Sequence, residues 1–297
     1  MSPSLLAGLA LARPSSWAPL TLRGDPEWWN RALDSGAVGV GVRGEHLDVA
    51  DDRLRWRPLS VEDAGRCVLL AEHGDRIRVA VLTDEAPDWP SLREVGSTLD
   101  DEDAAAATAA VALAQWHHRH EHCPRCGALT EITEAGWVRR CPNDGSSHFP
   151  RTDPAVIVLV RDEQDRALLG RRSIWPEGWF STLAGFVEAG ESAEHAVVRE
   201  VAEEAGVVVD GYGLNYRGSQ PWPFPASLML GYHAWTVPDS PAAEADGEEI
   251  AEVRWFSRAE MSELAGAGEV KIPPSVSIAR HLIEDWFGAE LPGQWSR

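Results

Sequence analysis

The stretch that decides the fold of this chain is residues 185–207, GFVEAGESAEHAVVREVAEEAGV. Within it, Glu200, Glu203 and Glu204 are spaced i, i+3 and i+4, which places three carboxylates within an arc of roughly 100° on one helix surface. Like charges this close raise one another's pKa, and a divalent cation relieves the repulsion. The pattern therefore predicts an acidic helix that binds metal.

The helix has clear start and stop signals. Ser192 suits an N-cap and Gly206 suits a left-handed C-terminus, so the pattern predicts a helix over about 192–205. A solvated acidic helix is the ordinary alternative, but it explains neither the glycines nor the placement of Arg199. The face that packs on a core is predicted from an apolar stripe, Ala193, Val197, Val201 and Ala205.

The whole stretch follows the pattern Gly-x5-Glu-x7-Arg-Glu-apolar-x-Glu-Glu-x-Gly-apolar. This pattern resembles the Nudix box at every fixed position. The resemblance implies hydrolysis of a nucleoside diphosphate linked to another moiety, with Mg²⁺ or Mn²⁺ as cofactor. The chemistry agrees, because Mg²⁺ takes carboxylate, water and phosphate oxygens as ligands and a metal-bound water is a better nucleophile.

The resemblance also implies a role for each charged residue of the box. Glu200 and Glu204 would be metal ligands, and Glu203 would be a further ligand or the base that activates water. Arg199 would orient a glutamate of the box, for which Glu191 is the candidate.

Two metal contacts are implied outside the helix. The main-chain carbonyl of Ala184 would complete the coordination, and Glu249 would be an additional acidic ligand. Judged alone, Glu249 is equally consistent with an exposed strand edge.

Composition narrows the class of protein. The chain has 297 residues. Its formal charge of −20 and its pI near 4.8 argue against a surface that binds polyanions in general. No stretch has the ~18–20 apolar residues that span a bilayer, and the N-terminus lacks the leading positive charge of a signal peptide. The sequence thus predicts a cytoplasmic protein with no membrane partner.

Three domains are predicted: a β-rich N-terminal domain with a connecting helix over 1–120, a small module over 121–151, and the box-containing domain over 152–297. Acidic residues at 100–103 followed by an alanine-rich stretch indicate the connecting helix. Helices are also predicted near 258–265 and 276–287. Strands are predicted at Ala37–Val42, Leu54–Arg57, Cys67–Ala71, Ile77–Thr83, Val156–Arg161, Ala167–Leu169, Tyr212–Gly218, Leu228–Val237 and Ala251–Phe256.

The small module has the shape of a zinc ribbon with one cysteine missing. Cys123 and Cys126 form a Cys-x2-Cys-Gly knuckle, whereas the second knuckle has Cys141 and then Asp144 where a fourth cysteine is expected. An aspartate oxygen can ligate zinc, and His148 is a second candidate. The alternative is that zinc is lost and packing preserves the ribbon. Zinc here would be structural, because a filled tetrahedron leaves no open position for chemistry. Further histidines crowd the entry: His117, His118, His120 and His122.

The second informative run is residues 219–229, SQPWPFPASLM. Its alternating prolines predict an extended backbone that presents aromatic and hydrogen-bonding groups in a rigid order, which suits recognition of a base and ribose. By itself, such a run is more often a plain proline-rich loop.

This run is similar to the SQPWPFPxS signature of the NADH pyrophosphatase branch of the Nudix family, and the likeness extends over roughly 113–290. It implies cleavage of the diphosphate of NAD(H) to nicotinamide mononucleotide and AMP. It further implies removal of NAD caps from RNA 5′ ends, and a homodimer whose ligand site includes partner residues. The implied fold class is α+β: a Nudix α/β/α sandwich with a mixed sheet, preceded by the zinc-ribbon-like module and the β-rich domain.

Substrate contacts are carried over one position at a time. Phe186 and Phe149 would stack on a base, the latter standing where relatives have tyrosine, and Ala279 would supply a main-chain contact. Taken singly, these phenylalanines are more often core residues. The contacts implied in the signature run are Gln220, Pro221, Trp222, Pro223, Phe224, Pro225, Ala226 and Ser227.

Two other functions remain open from the sequence. One is a Nudix hydrolase of ADP-ribose or dinucleoside polyphosphates. The other is a non-catalytic protein that binds RNA or a partner, for which Arg139, Arg140 and Arg151 would form a local phosphate patch.

Overall fold

The computed structural model describes residues 5–13, 21–73 and 76–295, which form two compact units. The N-terminal unit spans 11–152 together with 221–227, and the C-terminal unit spans 1–10, 153–220 and 228–297, within the described ranges. None of the helices in these ranges combines the length and apolar character needed to cross a bilayer. The three-domain boundaries stay a prediction.

The N-terminal unit begins with a mixed sheet and a long helix. Its sheet has the order β2-β1-β7-β6, with β1 and β7 parallel and the other pairs antiparallel. The elements are 3₁₀ turns at Thr21–Gly24 and Val61–Asp63, α1 (Trp28–Asp34), β1 (Val38–Arg43), β2 (His46–Leu47), β3 (Val49–Ala50), β4 (Arg53–Leu54), β5 (Arg57–Pro58), β6 (Cys67–His73), β7 (Arg76–Leu82), α2 (Leu92–Val95) and α3 (Asp101–Arg119).

Helix α3 is the predicted connecting helix. Asp100 caps it by accepting a hydrogen bond from the Asp103 N–H at 2.8 Å. The Asp103 carboxylate is buried and accepts from the Leu54 N–H and the Trp56 indole, both at 3.0 Å. These bonds tie the helix to the β-rich region.

The ribbon follows α3 within the same unit. It consists of β8 (Glu131–Thr133), a 3₁₀ turn at Glu134–Gly136, β9 (Val138–Arg140) and β10 (Ser147–His148), in the antiparallel order β10-β9-β8. Each knuckle closes with a main-chain bond, from Gly127 to Cys123 at 2.9 Å and from Gly145 to Cys141 at 3.0 Å. The predicted ribbon topology is confirmed.

The C-terminal unit is built on a six-stranded sheet of order β14-β15-β11-β12-β16, with β13 also pairing with β11. Strand β12 lies antiparallel to both β11 and β16. The elements are β11 (Asp153–Arg161), β12 (Ala167–Arg172), β13 (Leu183–Phe186), α4 (Ala193–Ala205), β14 (Asn215–Trp222), β15 (Ser227–Trp235), β16 (Ile250–Phe256), α5 (Arg258–Ala267) and α6 (Ile278–Phe287).

Strand β11 separates two apolar cores. Val156 and Val158 pack in the cluster that includes α4, whereas Ile157 and Leu159 pack in the cluster that includes α5 and α6. This alternation follows from the period of two in a strand with both faces covered. The C-terminal unit therefore has the predicted α/β/α layering.

Two local expectations were wrong, and the strand predicted from Tyr212 begins only at Asn215, as β14. The strand predicted at Leu54–Arg57 is divided into β4 and β5, because the chain turns where Trp56 N–H bonds the Leu54 carbonyl at 3.0 Å. The signature run is extended only as far as Trp222, and residues 223–226 form a turn before β15. Proline restricts φ but not ψ, and its φ suits turns as well as extended chain.

Candidate active site

Helix α4 carries the box and forms as its termini predict. The Ser192 hydroxyl accepts from the His195 N–H at 3.2 Å, and Gly206 ends the helix at φ 67°. Val197 and Val201 are fully buried. One face is thereby anchored in the core, and the acidic face is left at the surface of the sandwich.

Arg199 is the hub of that acidic face. Its Nε and Nη2 donate to the two oxygens of Glu191 at 2.9 and 2.8 Å, the two-pronged pairing expected of arginine and carboxylate. Its Nη1 donates to Glu200 at 2.8 Å and Glu203 at 2.9 Å. The two bonds from Arg199 to Glu191 lower the pKa of Glu191 to about 2. The contact between Arg199 and Glu191 expected from the sequence is present.

Glu200 lies against the main chain of Gly185 in β13. A Cβ atom at Gly185 would stand 1.9 Å from the Glu200 carboxyl carbon, far inside van der Waals contact. Only glycine leaves room for this carboxylate, which explains the first fixed position of the box.

Glu204 is the most buried acid of the helix. Its side-chain oxygen accepts a hydrogen bond from the Ala184 N–H at 3.1 Å. Burial raises the pKa of Glu204 to about 8, and the neighbouring charges of Glu200 and Glu249 act in the same direction. Burial also raises the pKa of Glu200. Both groups would gain from a cation that offsets their charge.

Glu249 lies just before β16 and brings the fourth carboxylate. Its charge acts on both Glu200 and Glu204, and its side chain pairs with Arg172 at the end of β12. We call Glu200, Glu203, Glu204 and Glu249 the acidic cluster. Its oxygen donors and net negative charge fit Mg²⁺ or Mn²⁺. Here the carboxylates bond to Arg199, Arg172 and the Ala184 N–H rather than converging on one point.

The phenylalanines proposed for stacking are exposed. Phe186 is 59% exposed and Phe149 is 66% exposed, so neither is a core residue. Large apolar side chains left in solvent are candidates for ligand contact. Their stacking role stays a prediction.

Gln220 and Ala279, two of the expected substrate contacts, are both buried. Gln220 is 0% exposed, and its amide bonds the Val276 carbonyl at 3.0 Å and the Ile278 N–H at 2.7 Å. Both ends of the amide are thus committed to the start of α6 and none is free for a ligand. Ala279 is also buried, and its N–H donates to the Ser277 hydroxyl at 3.3 Å.

The rest of the signature run meets an arginine that the sequence analysis missed. Arg93 lies 3.8 Å from the Phe224 ring centre and 5.1 Å from that of Trp222, and the two rings meet edge to face. Phe224 and Pro225 line a cavity of about 1040 Å³ inside the N-terminal unit. Arg93 is about 130 positions away in the chain, so no local pattern could have paired it with the run.

The proposed phosphate patch is wrong in one member. The Arg139 side chain is buried and donates to the Thr130 hydroxyl at 2.7 Å, the Thr130 carbonyl at 2.9 Å and the His117 ring at 3.1 Å. It binds the ribbon to α3 and lines the cavity. Successive side chains of a strand point to opposite faces, and Arg139 lies on the inward face of its strand.

The ribbon cysteines form a metal-ligand set. The ligand atoms of Cys123, Cys126, Cys141 and Asp144 all lie within 4.8 Å of one another. Zinc bonds of about 2.3 Å in a tetrahedron need ligand separations of roughly 3.8 Å, and the Cys126–Cys141 sulfur distance is 3.5 Å. The set fits structural zinc, with aspartate as the fourth ligand.

Ser146 holds the Asp144 carboxylate in place. The Ser146 main-chain N–H donates to Asp144 at 2.9 Å and its hydroxyl donates to the same oxygen, which keeps the pKa of Asp144 well below its usual range. His148, the other candidate, contacts the Ser146 hydroxyl at 3.1 Å instead of joining the ligand set.

Known proteins are similar to this chain in two regions. The NUDIX domain family matches residues 151–275, and the NADH pyrophosphatase zinc ribbon domain matches residues 118–149. A crystal structure of a NUDIX hydrolase from Nitrosomonas europaea is 22% identical with a TM-score of 0.40, covering 59% of this chain and 96% of that one.

Two curated relatives extend the match. The NAD-capped RNA hydrolase NUDT12 of Homo sapiens is 39% identical over 213 residues, 68% of this chain and 44% of that protein. The NAD-capped RNA hydrolase NudC of Mycobacterium bovis (strain BCG / Pasteur 1173P2) is 45% identical over 226 residues, 72% of this chain and 71% of that protein. With this identity, an intact box on α4 and the ribbon before it, the chain belongs to the Nudix hydrolase family and carries the zinc ribbon of its NADH pyrophosphatases.

Proposed function

We propose that this protein hydrolyses the diphosphate bond of NAD(H) with the help of Mg²⁺ or Mn²⁺, and that it removes NAD caps from RNA 5′ ends. The observation that carries the proposal is the acidic cluster, in which a buried Glu204 with a raised pKa lies among other carboxylates. The NAD-capped RNA hydrolases at 45% and 39% identity support the choice of substrate.

A divalent cation at the acidic cluster would supply charge for the diphosphate and make a water molecule more acidic. Glu200 and Glu204 would hold it, joined by Glu249, with the Ala184 carbonyl as a further proposed ligand. Glu203 is exposed, which supports its proposed role as the base that takes the proton from the attacking water. The new bond joins water oxygen to phosphorus, the bridging P–O bond breaks, and the products are nicotinamide mononucleotide and AMP.

Arg199 positions this machinery. Through one guanidinium it bonds three carboxylates of the box, so their relative placement depends on it. Arg199 is therefore a positioning residue: it orients the carboxylates, and the substrate is bound by the metal and by the exposed aromatic side chains.

In the C-terminal unit, Phe186 is the proposed stacking residue. In the N-terminal unit, Phe149 and the Trp222–Phe224 pair are separate candidates for contact with a base or ribose. Arg93 lies over the Phe224 ring of that pair, and Phe224 lines the adjoining cavity. Both observations support a ligand site at the signature run. A homodimer and a cytoplasmic location remain predictions of the sequence; the first is checked by light scattering of the purified chain.

The test compares hydrolysis of NADH, NAD⁺, ADP-ribose, diadenosine polyphosphates and NAD-capped RNA under each metal. NAD(H) and capped RNA should be turned over best, and Glu203→Gln should reduce turnover by orders of magnitude with the fold intact. Glu194→Gln, an exposed glutamate of the same helix, is the matched control and should retain activity. Preference for ADP-ribose, or full activity of Glu203→Gln, would contradict the proposal.

A further inference from the structure

Arg172 has no part in the box, yet it is paired with a member of the acidic cluster. Its Nη2 donates to Glu249, with the two side chains 45% and 50% exposed. Its charge also acts on the buried Glu204, where it opposes the rise in pKa. Arg172, at the end of β12, therefore acts on two of the four carboxylates: it bonds Glu249, and its charge favours the ionised form of Glu204.

A β-bulge places this pair. Strands β12 and β16 pair in register from Ala167 to Arg171, but the register then shifts and Arg172 lies opposite Ile250, leaving out Ala251. The Ser173 N–H bonds the Glu249 carbonyl at 3.2 Å just beyond the shift. Bulges beside functional sites commonly redirect side chains, and this one lies where Arg172 meets Glu249.

The adjacent pair lacks these connections. Arg171 donates to Glu252 at 3.0 Å, and Arg171 and Glu252 are direct cross-strand partners. Glu252 is not a member of the acidic cluster, and its pair with Arg171 lies in the regular part of the ladder, before the register shift. The chain thus offers two similar arginine–glutamate pairs, of which one involves the acidic cluster.

We propose that Arg172 is an internal counter-ion that competes with the divalent cation for Glu249 and so sets the metal affinity of the site. When metal binds, Glu249 must exchange the guanidinium for the cation, and Arg172 becomes free to face the substrate's phosphate groups. This inference rests on the proposed function, because it assumes that the acidic cluster binds Mg²⁺ or Mn²⁺.

The experiment measures Mn²⁺ binding to the metal-depleted full-length protein by electron paramagnetic resonance, without substrate. Chelator treatment is kept mild so that the zinc content is unchanged. Arg172→Ala should tighten Mn²⁺ binding by roughly two- to fivefold, as expected for loss of an exposed ion pair. Arg171→Ala removes the same charge one residue away and should change the affinity by a smaller factor.

A second background isolates the competition. In Glu249→Gln the guanidinium has lost its carboxylate partner and acts on Glu204 only through its charge, so adding Arg172→Ala should tighten binding by a smaller factor than in the unaltered protein. Unchanged or weaker binding by Arg172→Ala, equal tightening by Arg171→Ala, or equal tightening in the Glu249→Gln background would overturn the inference. The proposed function itself requires that the unaltered protein binds Mn²⁺ and that Glu204→Gln weakens this binding. If the unaltered protein does not bind Mn²⁺, or if Glu204→Gln binds it equally well, the proposed function is overturned as well.

Discussion

Replacement of Gly185 by alanine tests whether the position of Glu200 is as critical as the structure indicates. Gly185 lies in β13 with φ in the ordinary range, so alanine introduces no backbone strain. The added methyl would stand 1.9 to 2.1 Å from the three atoms of the Glu200 carboxyl group, whereas ordinary contact begins at 3.4 Å. The carboxylate must therefore move by about 1.5 Å, which is cheap for the fold because a side-chain end can swing aside.

The functional cost should be much larger than the structural cost. A displacement of about 1 Å in a catalytic arrangement can reduce the rate about 10²-fold, or ~2.7 kcal/mol. The Arg199–Glu200 hydrogen bond of 2.8 Å would be lost with it. We expect kcat/KM for NADH to fall at least about 100-fold and Mn²⁺ binding to weaken, with the melting temperature nearly unchanged.

Gly266→Ala is the matched control, since Gly266 lies in α5, has no atom within 4 Å of an added Cβ, and has no positive φ. It should retain full activity. Wild-type turnover and Mn²⁺ affinity in Gly185→Ala would refute the reasoning. A large loss of melting temperature would also refute it, because the clash would then involve the fold rather than one movable carboxylate.

Further outcomes concern zinc and pH. Asp144→Ala should release zinc to a chelator roughly tenfold more readily or faster still, and Asp144→Cys should retain it more tightly, as checked by metal analysis; equal retention by all three proteins would remove aspartate from the ligand set. His233 is buried beside the Leu282 carbonyl and Asp285, and burial lowers its pKa to about 4. The unfolded histidine gains a proton near pH 6.5 and the folded one does not, so stability should fall from pH 6.5 to 4 by up to about 3 kcal/mol. His233→Gln should flatten that decline in chemical denaturation, and an unchanged slope would contradict the assignment.

Local spacing carried most of the sequence-based interpretation. Ser192, Gly206 and the glutamates lie within about four helical turns, where the helix geometry itself fixes which side chains are neighbours. The same holds for the cysteine knuckles, because two thiolates three residues apart can close on one ion through a single turn. The helix, the ribbon and the family were therefore predictable.

Other expectations depended on contacts that no local pattern contains. Gln220 reads as a ligand-binding residue in its proline-rich run, but the start of α6 consumes both ends of its amide. Arg139 reads as a surface cation, but its side chain is enclosed by Thr130 and His117. Burial is a property of the assembled neighbours, so residue type alone could not reveal it.

The sequence by itself determined the acidic helix, the ribbon with its three cysteines and the class of chemistry, because each arises from residues close in the chain. Only the tertiary structure decided that Arg172 pairs with a carboxylate of the acidic cluster. Arg172 and Glu249 are separated by 77 positions and meet because β12 and β16 pair with a bulge. The pairing of strands, and with it the electrostatic balance of the site, follows from packing of the whole sheet.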